Sequence, residues 1–598
     1  MNIASIIHES KSRYSYIYDK DVLHVRIKTG VGEVKRATVR AVDPFNWVPD
    51  ENGVYVFDIN TMQEIEMIHE GETRFHDVWF AEIKGIDTSR IRYSFILTDQ
   101  EEIEYLYGVN TVQNVTEAPD KKHEIFNYFN FPYLNDEDIF ASPQWVKDAI
   151  WYQLTVNCYS QDGEVCADRS SGNFKGLIEK LDYIKDLGCN ALYLTPVFEA
   201  SSWHLYDTED YFKVSESLGG DEAFRAFMKK AHELGFKVML DAVFNHCGYK
   251  HPFWQDVIKN GKASPYYDCF YILDDTKPVL SVPVSESGDY EDVGGYDNNF
   301  KTFAYTTAMP KLNTSNPIMR EYLLKVGRYW VQEFGIDGWR LDVSNEVSHD
   351  FWRVFRKEVK GINPDVYIMG ENWDDSYPWL MGDQFDAVMN YGVMNNILAF
   401  IAEPSKHVNH KINAAEYAKY NCELITKYPV GVTETMFNLV GSHDVERIMD
   451  ICKFDINKVK LCYLLELTYS GSPCIYYGDE IGMRNELGES RSPMKWNEDE
   501  QCLEMKTFIK KVISLRKTHA SFKNIHSEFI HTDGNVLLLK KEAEGDTVYI
   551  VVNNNDTNSE IELPAELRNR KVYDIYNERA MDLKDKMTLK AFEFLLIQ

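Results

Sequence analysis

Three carboxylates close apolar, strand-like runs in this sequence. They are Asp342 in Gly338-Trp339-Arg340-Leu341-Asp342, Glu371 in Val366-Tyr367-Ile368-Met369-Gly370-Glu371, and Asp444 in Phe437-Asn438-Leu439-Val440-Gly441-Ser442-His443-Asp444. In barrels of parallel strands the chemistry sits at the C-terminal tips of the strands. Two carboxyls facing one sugar linkage are the minimum equipment for glycoside hydrolysis. Arg340 and Asp342 stand two apart on a strand and therefore share a face; a neighbouring cation lowers an Asp pKa and keeps the group ionised. Trp373 follows Glu371 closely. An apolar wall and nearby negative charge favour a protonated carboxyl, which a general acid near neutral pH needs. Asp444 is placed to supply that charge and to bind sugar hydroxyls. His443 precedes it, and His246 closes the run Asp241-Ala242-Val243-Phe244-Asn245-His246. No HExxH or Cys/His ligand spacing surrounds these histidines to support a zinc site.

Positioning such groups requires a framework, and the hydrophobic pattern supplies one. Residues 1 to about 120 alternate apolar and polar, as in Val22-Leu23-His24-Val25-Arg26-Ile27-Lys28, between turns rich in Asn, Asp and Gly. Several short strands at this spacing predict a β-sandwich. A connecting stretch over 121–144 is rich in Asn, Phe and Tyr. From 145 to 515 the rhythm changes to apolar runs separated by helix-length segments: 149–154, 189–194, 236–240, 336–341, 366–369, 385–389, 435–439 and 474–477. Eight strands alternating with helices predict a (β/α)8 TIM barrel rather than an open sheet. The stretch after the third strand, about 247–316, is too long for a bare connection and predicts an inserted subdomain over the active face. The tail, 516–598, alternates again, as in Thr547-Val548-Tyr549-Ile550-Val551-Val552, and predicts an antiparallel β-domain.

Composition bounds the function. A chain of 598 residues exceeds the ~250–300 residues at which single cores stop growing, so several domains are expected. A formal charge of −30 argues against nucleic acid and against anionic membrane surfaces as partners, while a neutral glucan is indifferent to it. No apolar run approaches the ~18 residues of a membrane span, and the start shows no basic segment leading into a long apolar one. Ten scattered cysteines without a CxxC pair suit reduced, buried thiols, and a cytoplasmic location is expected.

The segments Asp241–His246, Gly338–Asp342, Gly370-Glu371-Asn372-Trp373 and Ser442-His443-Asp444 resemble, in order, the four signature regions of the α-amylase (family 13) glycoside hydrolases. Met309-Pro310-Lys311-Leu312-Asn313 resembles the marker of the neopullulanase, cyclomaltodextrinase and maltogenic amylase branch. The resemblance covers essentially the whole chain, and the first 120 residues are similar to that branch's starch-binding-type N-terminal domain. It implies a retaining hydrolase of α-glucosidic bonds, mainly α-1,4, in cyclodextrins, maltodextrins or pullulan, with some transglycosylation. Asp342 would then be the nucleophile, Glu371 the acid and base, and Asp444 the clamp on a distorted sugar. Arg340 would orient the nucleophile, His246 and His443 would contact the −1 sugar, and Tyr206 would lie beneath it. Phe303, Trp373 and Arg491 complete the implied substrate-binding set. Retention implies Asp342 and Glu371 carboxyls roughly 5–5.5 Å apart. The branch often dimerises, so a homodimer is implied too. Two other readings stand beside this one: a glucan-binding or transporter-associated relative without catalysis, which would usually lack a triad member, and an enzyme that favours transfer to sugars over water.

Four departures bear on the site. Leu154-Thr155-Val156-Asn157-Cys158-Tyr159 replaces the usual Ile-Phe-Pro-Asp/Glu-Arg-Phe. The loop 160–175 lacks the usual run of Asn and Asp, with Ser171-Gly172-Asn173 where Gly-Gly-Asp is typical. Calcium wants several oxygen ligands including carboxylates, so no metal and no cofactor are expected, calcium included. Asn372 stands where the branch has an apolar residue, which predicts a more polar +1 subsite. Leu487 stands at the usual Asp partner of Arg491, with Glu486 and Glu489 as the candidate substitutes, and 280–299 is longer than the branch norm.

Overall fold

The computed structural model describes residues 1–117, 127–140, 142–280, 298–486 and 488–598. Parts of the expected connecting stretch (121–126 and 141), most of the long 280–299 segment and Leu487 lie outside the described residues.

The central element is a sheet of eight parallel strands: Trp151–Leu154, Ala191–Leu194, Lys237–Ala242, Gly338–Leu341, Tyr367–Gly370, Ala387–Val388, Phe437–Leu439 and Ser472–Tyr476. Their order runs 6-5-4-3-2-1-8-7, counting along the chain. A parallel bridge from Met389 to Phe437 joins the two ends, so the sheet closes into the expected barrel. Nearly every strand residue is buried, because helices cover the outer face while side chains fill the lumen. Trp151, Tyr367 and Phe437 pack together inside, the first pair with ring centroids 5.8 Å apart.

Local sequence sets where strands begin. The helix Pro317–Phe334 starts on Asn316, whose side chain accepts from the amides of Ile318 and Met319, and on a proline at the first position. It stops at Gly335, at φ 66°, a left-handed turn that glycine adopts without strain. The chain then re-enters the barrel as Gly338–Leu341, which delivers Asp342 to its tip.

Two antiparallel sheets face each other before the barrel. One holds Ser15–Asp19, Val22–Gly30, Ile68–Glu72 and His76–Lys84; the other is built on Val34–Val42 and Ile91–Asp99. Leu23, Val25 and Ile27 from the first meet Val39, Tyr93 and Phe95 from the second in one core, which is the expected sandwich. Its fully buried Arg26 pairs with Glu70 through two 2.8 Å contacts and donates to the Tyr428 carbonyl of the barrel at 3.1 Å. After the barrel come a six-stranded antiparallel sheet built on Val536–Ala543 and Asp546–Asn553 and a two-stranded ladder.

Between the third strand and the helix at Pro317 the chain forms the helix Pro252–Asn260 and a set of short bridges. Trp254, fully buried, packs on Phe270 and Phe300 with centroids 4.7 and 4.5 Å away, so this insertion has a small core of its own. The bridges His246–Lys311 and Thr302–Pro310 lay its returning strand across the barrel mouth, which brings Phe303 and Met309 to the active face.

Candidate active site

Asp342 and Glu371 directly follow the fourth and fifth strands, and each is held by one further ladder bond, to the carbonyls of Ala242 (3.0 Å) and Leu341 (2.9 Å). Glycine at 370 is needed for this: a Cβ there would stand 2.5 Å from the Phe385 ring and 2.7 Å from Ser344 Oγ. Val343, just past Asp342, has φ 45° and ψ 41°. That is costly for a β-branched residue, and such strain clusters at functional sites. The bent backbone turns the Val343 amide onto Glu371 Oε2 at 3.0 Å.

One guanidinium organises the acids. Arg340, with no exposed surface, places Nη1 3.0 Å from Asp241 and 2.7 Å from Asp342, and Nη2 3.0 Å from Glu371 and 3.5 Å from Asp444. The site therefore gathers four carboxyls around one cation, with Arg491 adding a second at 3.3 Å from Asp444. The expectation that the adjacent cation would keep Asp342 low is reversed here. Burial pushes Asp342 well above the ordinary range; Arg340 pulls it down, while Glu371 and Asp241 add to the rise. Burial likewise raises Asp241, and it takes Asp444 to about 6 with help from Glu371. Asp241, Asp342 and Asp444 thus each hold a proton to higher pH than a free carboxyl. The 2.7 Å charge-assisted bond from Arg340 works against that rise at Asp342.

Beneath the acids runs a hydrogen-bond chain. The Gln153 side-chain amide meets His443 Nδ1 at 2.6 Å and fixes the plane of the ring. Burial, reinforced by Arg491 and Arg340, keeps this imidazole well below its usual pKa and so neutral. His443 Nε2 contacts the Tyr206 hydroxyl, and that hydroxyl donates to Asp241 at 3.0 Å, where Tyr193 also donates at 2.7 Å. The Tyr206 ring lies parallel to His443 (centroids 5.7 Å apart, 10° between planes), with the Arg491 guanidinium 5.5 Å from its centre.

These groups surround a cavity of about 210 Å³ lined by Tyr206, His246, Phe303, Asp342, Glu371, Asp444 and Arg491, with His204, Met309 and Val343. The volume is below the ~300–1,000 Å³ of sites for drug-sized ligands, so it encloses a ring-sized unit and leaves the rest of a longer chain outside. His246 stacks on Phe303 at 4.8 Å, and its Nε2 has no protein partner. Burial, then Lys311, brings the His246 pKa to about 3.

Of the residues expected at the site, Arg340 and His443 lie under the cavity floor and Trp373 stands at its rim. Trp373 is half exposed; its indole donates to Glu371 Oε1 at 3.1 Å and its ring stacks on Tyr391 at 3.8 Å. Asn372 is buried and does not line the cavity: its Oδ1 accepts from Ser344 at 2.9 Å. Glu486 is held by Lys495 at 2.8 Å. Sequence reasoning missed Asp241, Gln153 and Tyr193. Asp241 had one signal, its place at the head of Asp241–His246, the first of the segments that resemble the family's signature regions.

In the 160–175 loop, Lys175 lies 3.3 Å from Asp162, and Asp168 accepts from its neighbour Ser170. Among the described residues no three His, Cys, Asp or Glu side chains converge as metal ligands.

Comparison with known proteins places this geometry. The family model described as alpha amylase, catalytic domain, matches residues 159–520, and that described as alpha amylase, N-terminal ig-like domain, matches 1–135. The chain is 38% identical over 588 residues to a cyclomaltodextrinase of Geobacillus thermopakistaniensis (strain MAS1), covering 95% of this chain and 94% of that one. It is 38% identical over 619 residues to a maltogenic alpha-amylase of Bacillus acidopullulyticus, covering 99% of each. A solved structure of a cyclomaltodextrinase superposes over the full length of both chains with a TM-score of 0.87 at 33% identity. With a family catalytic model over most of the barrel and relatives matched end to end, the chain belongs to the α-amylase family and is a glycoside hydrolase of its neopullulanase, cyclomaltodextrinase and maltogenic amylase type.

Proposed function

We propose that this hydrolase cleaves α-glucosidic bonds, mainly α-1,4, in cyclodextrins, maltodextrins or pullulan, with retention through a glycosyl-enzyme on Asp342. The observation that carries this is the single guanidinium of Arg340 holding Asp342, Glu371 and Asp444 at one ring-sized cavity. An Asp342 oxygen attacks the anomeric carbon as the bond to the leaving oxygen breaks, and Glu371 passes its proton to that oxygen. Glu371, now ionised, takes a proton from water; the water oxygen bonds to the anomeric carbon and Asp342 departs as carboxylate. Asp444 binds hydroxyls of the distorted sugar, His246 Nε2 meets another, and Tyr206 lies under the ring. A sugar hydroxyl replacing water gives transglycosylation. Trp373 borders the leaving-group side. No metal or other cofactor enters these steps.

The deciding experiment is Asp342→Asn on purified protein with β-cyclodextrin and pullulan. The expected result is a fall in kcat of roughly 10³–10⁵-fold, with α-anomeric product from the wild type by proton NMR. Full residual activity, or β-anomeric product, would refute it. Products formed with glucose as acceptor separate hydrolysis from transfer.

The protein works as a cytoplasmic homodimer in this reading. Its N-terminal hairpin Trp47–Pro49 and Tyr55–Phe57 carries an apolar patch facing solvent, with Phe45 at 70% and Tyr55 at 68% exposure. Monomers rarely leave such a patch uncovered. A partner docked there would narrow access and favour short glucans. Light scattering at micromolar concentration should report twice the 69.6 kDa of the chain; a monomer with good activity on intact starch would contradict it. No helix among the described residues is long and apolar enough to cross a membrane, and the ten cysteines carry free thiols, nine of them buried.

A further inference from the structure

A second cavity, of about 480 Å³, lies between the N-terminal sandwich and the barrel. One wall comes from Arg13, from Lys28 on the strand Val22–Gly30, and from the turn that carries Arg74 to His76. The other comes from the barrel helices Tyr391–Ile401 and Ala414–Ile425. The chemistry of this cavity runs against that of the chain. In a protein of formal charge −30, it is lined by Arg13, Lys28, Arg74 and Lys427 with one carboxylate, Glu423.

That carboxylate is already taken. Arg74 holds Glu423 through two contacts of 2.8 and 3.0 Å. Lys427 has Asp375 at 3.5 Å. Arg13 and Lys28 have no acidic partner among the described residues. Aromatic faces hold them instead: the Arg13 guanidinium lies 4.6 Å from the centre of Tyr377, and the Lys28 ammonium 5.7 Å from Tyr14. The two cations thus have no acid within ion-pair distance among the described residues, and Glu423 acts on Lys28 only at longer range. Burial and then Arg13 lower the Lys28 pKa, and burial and then Lys28 lower that of His76 in the same wall. Holding like charges close together costs free energy that an anion would relieve.

One further feature asks for more than an ion. Phe75, 69% exposed, and Tyr420 add aromatic surface of the kind sugar rings pack against.

We propose that this interdomain cavity is a binding site for a phosphorylated saccharide, with the phosphate between Arg13 and Lys28 and the sugar ring against Phe75 and Tyr420. None of these residues touches the catalytic cavity, so occupation is separable from hydrolysis.

The test uses the full chain and glucose 6-phosphate, orthophosphate and maltose as probes in calorimetric titration and thermal melts. Glucose 6-phosphate should bind once per chain and raise Tm. Lys28→Met and Arg13→Gln should each weaken that binding at least about tenfold, and Lys28→Arg should retain it. All three variants should hydrolyse β-cyclodextrin at the wild-type rate, which shows that they fold. Equal binding of glucose 6-phosphate by wild type and Lys28→Met, or no binding at millimolar concentration, would overturn the site. Orthophosphate binding as tightly as glucose 6-phosphate would overturn the assignment to a sugar phosphate.

Discussion

Replacing Asp444 with Asn should stabilise the ligand-free protein above pH 6 while removing its activity. Asp444 competes with Asp241, Asp342 and Glu371 for Arg340, and holds the weakest position, 3.5 Å away. Arg491 reaches only its Oδ1, and Oδ2 accepts no hydrogen bond. Burial, reinforced by Glu371, takes its pKa from 3.8 to about 6. At about 1.4 kcal/mol per pH unit, ionising a fully enclosed Asp444 would cost the native state about 3 kcal/mol. Its side chain is 22% exposed, and solvent screening reduces this to about 1–2 kcal/mol. The sign follows from linkage. A carboxyl whose pKa is raised on folding contributes stability below its unfolded value, near pH 4, and that contribution disappears as pH climbs to about 6. Asparagine has no such titration. Thermal melts of both proteins at pH 4 and pH 8 isolate the effect, because lost hydrogen bonds count equally at both. The difference in Tm, variant minus wild type, should be about 1–2 °C more positive at pH 8 than at pH 4. An equal difference at the two pH values, or a smaller one at pH 8, would refute the claim that the acids are crowded.

Two other outcomes follow from the same geometry. Tyr206→Phe keeps the ring but cuts the link from His443 to Asp241, and should lower kcat/KM on maltodextrins about 10–100-fold with little change in Tm, measured by initial rates and melts. Prolonged dialysis against EDTA should leave rate and Tm unchanged, since the 160–175 loop turns Asp162 towards Lys175; stoichiometric tight calcium binding by titration would contradict this.

Asp342 and Glu371 were legible because strands buried on both faces read as short apolar runs, and a barrel places the residue after each run at its mouth. The same logic exposed the eight strands, including the two-residue Ala387–Val388, whose flanking apolar residues extended the signal. Asp241 was harder: its meeting with Arg340 depends on the register between neighbouring strands, which one sequence does not display. Gln153 and His443 meet across 290 residues only because the first strand pairs with the eighth and the eighth with the seventh. The direction of the Asp342 shift was misread for a related reason. Arg340 is visible two residues away, but the enclosure and the other carboxyls arrive from distant segments and outweigh it. Asn372 shows the limit at the level of one side chain, since position after Glu371 did not reveal that it turns to Ser344. The cationic cavity between domains was equally hidden, its two walls coming from sandwich and barrel segments far apart in the chain.

The central claim, a covalent glycosyl-enzyme on Asp342, is tested most directly by mass spectrometry of Glu371→Gln protein incubated with α-maltosyl fluoride. The fluoride leaves without acid assistance, while the missing base slows release of the sugar. A maltosyl adduct on the peptide that contains Asp342, lost in the additional Asp342→Asn variant, is the predicted result. An adduct on another residue, or turnover of the fluoride to β-maltose with no adduct, would contradict the account.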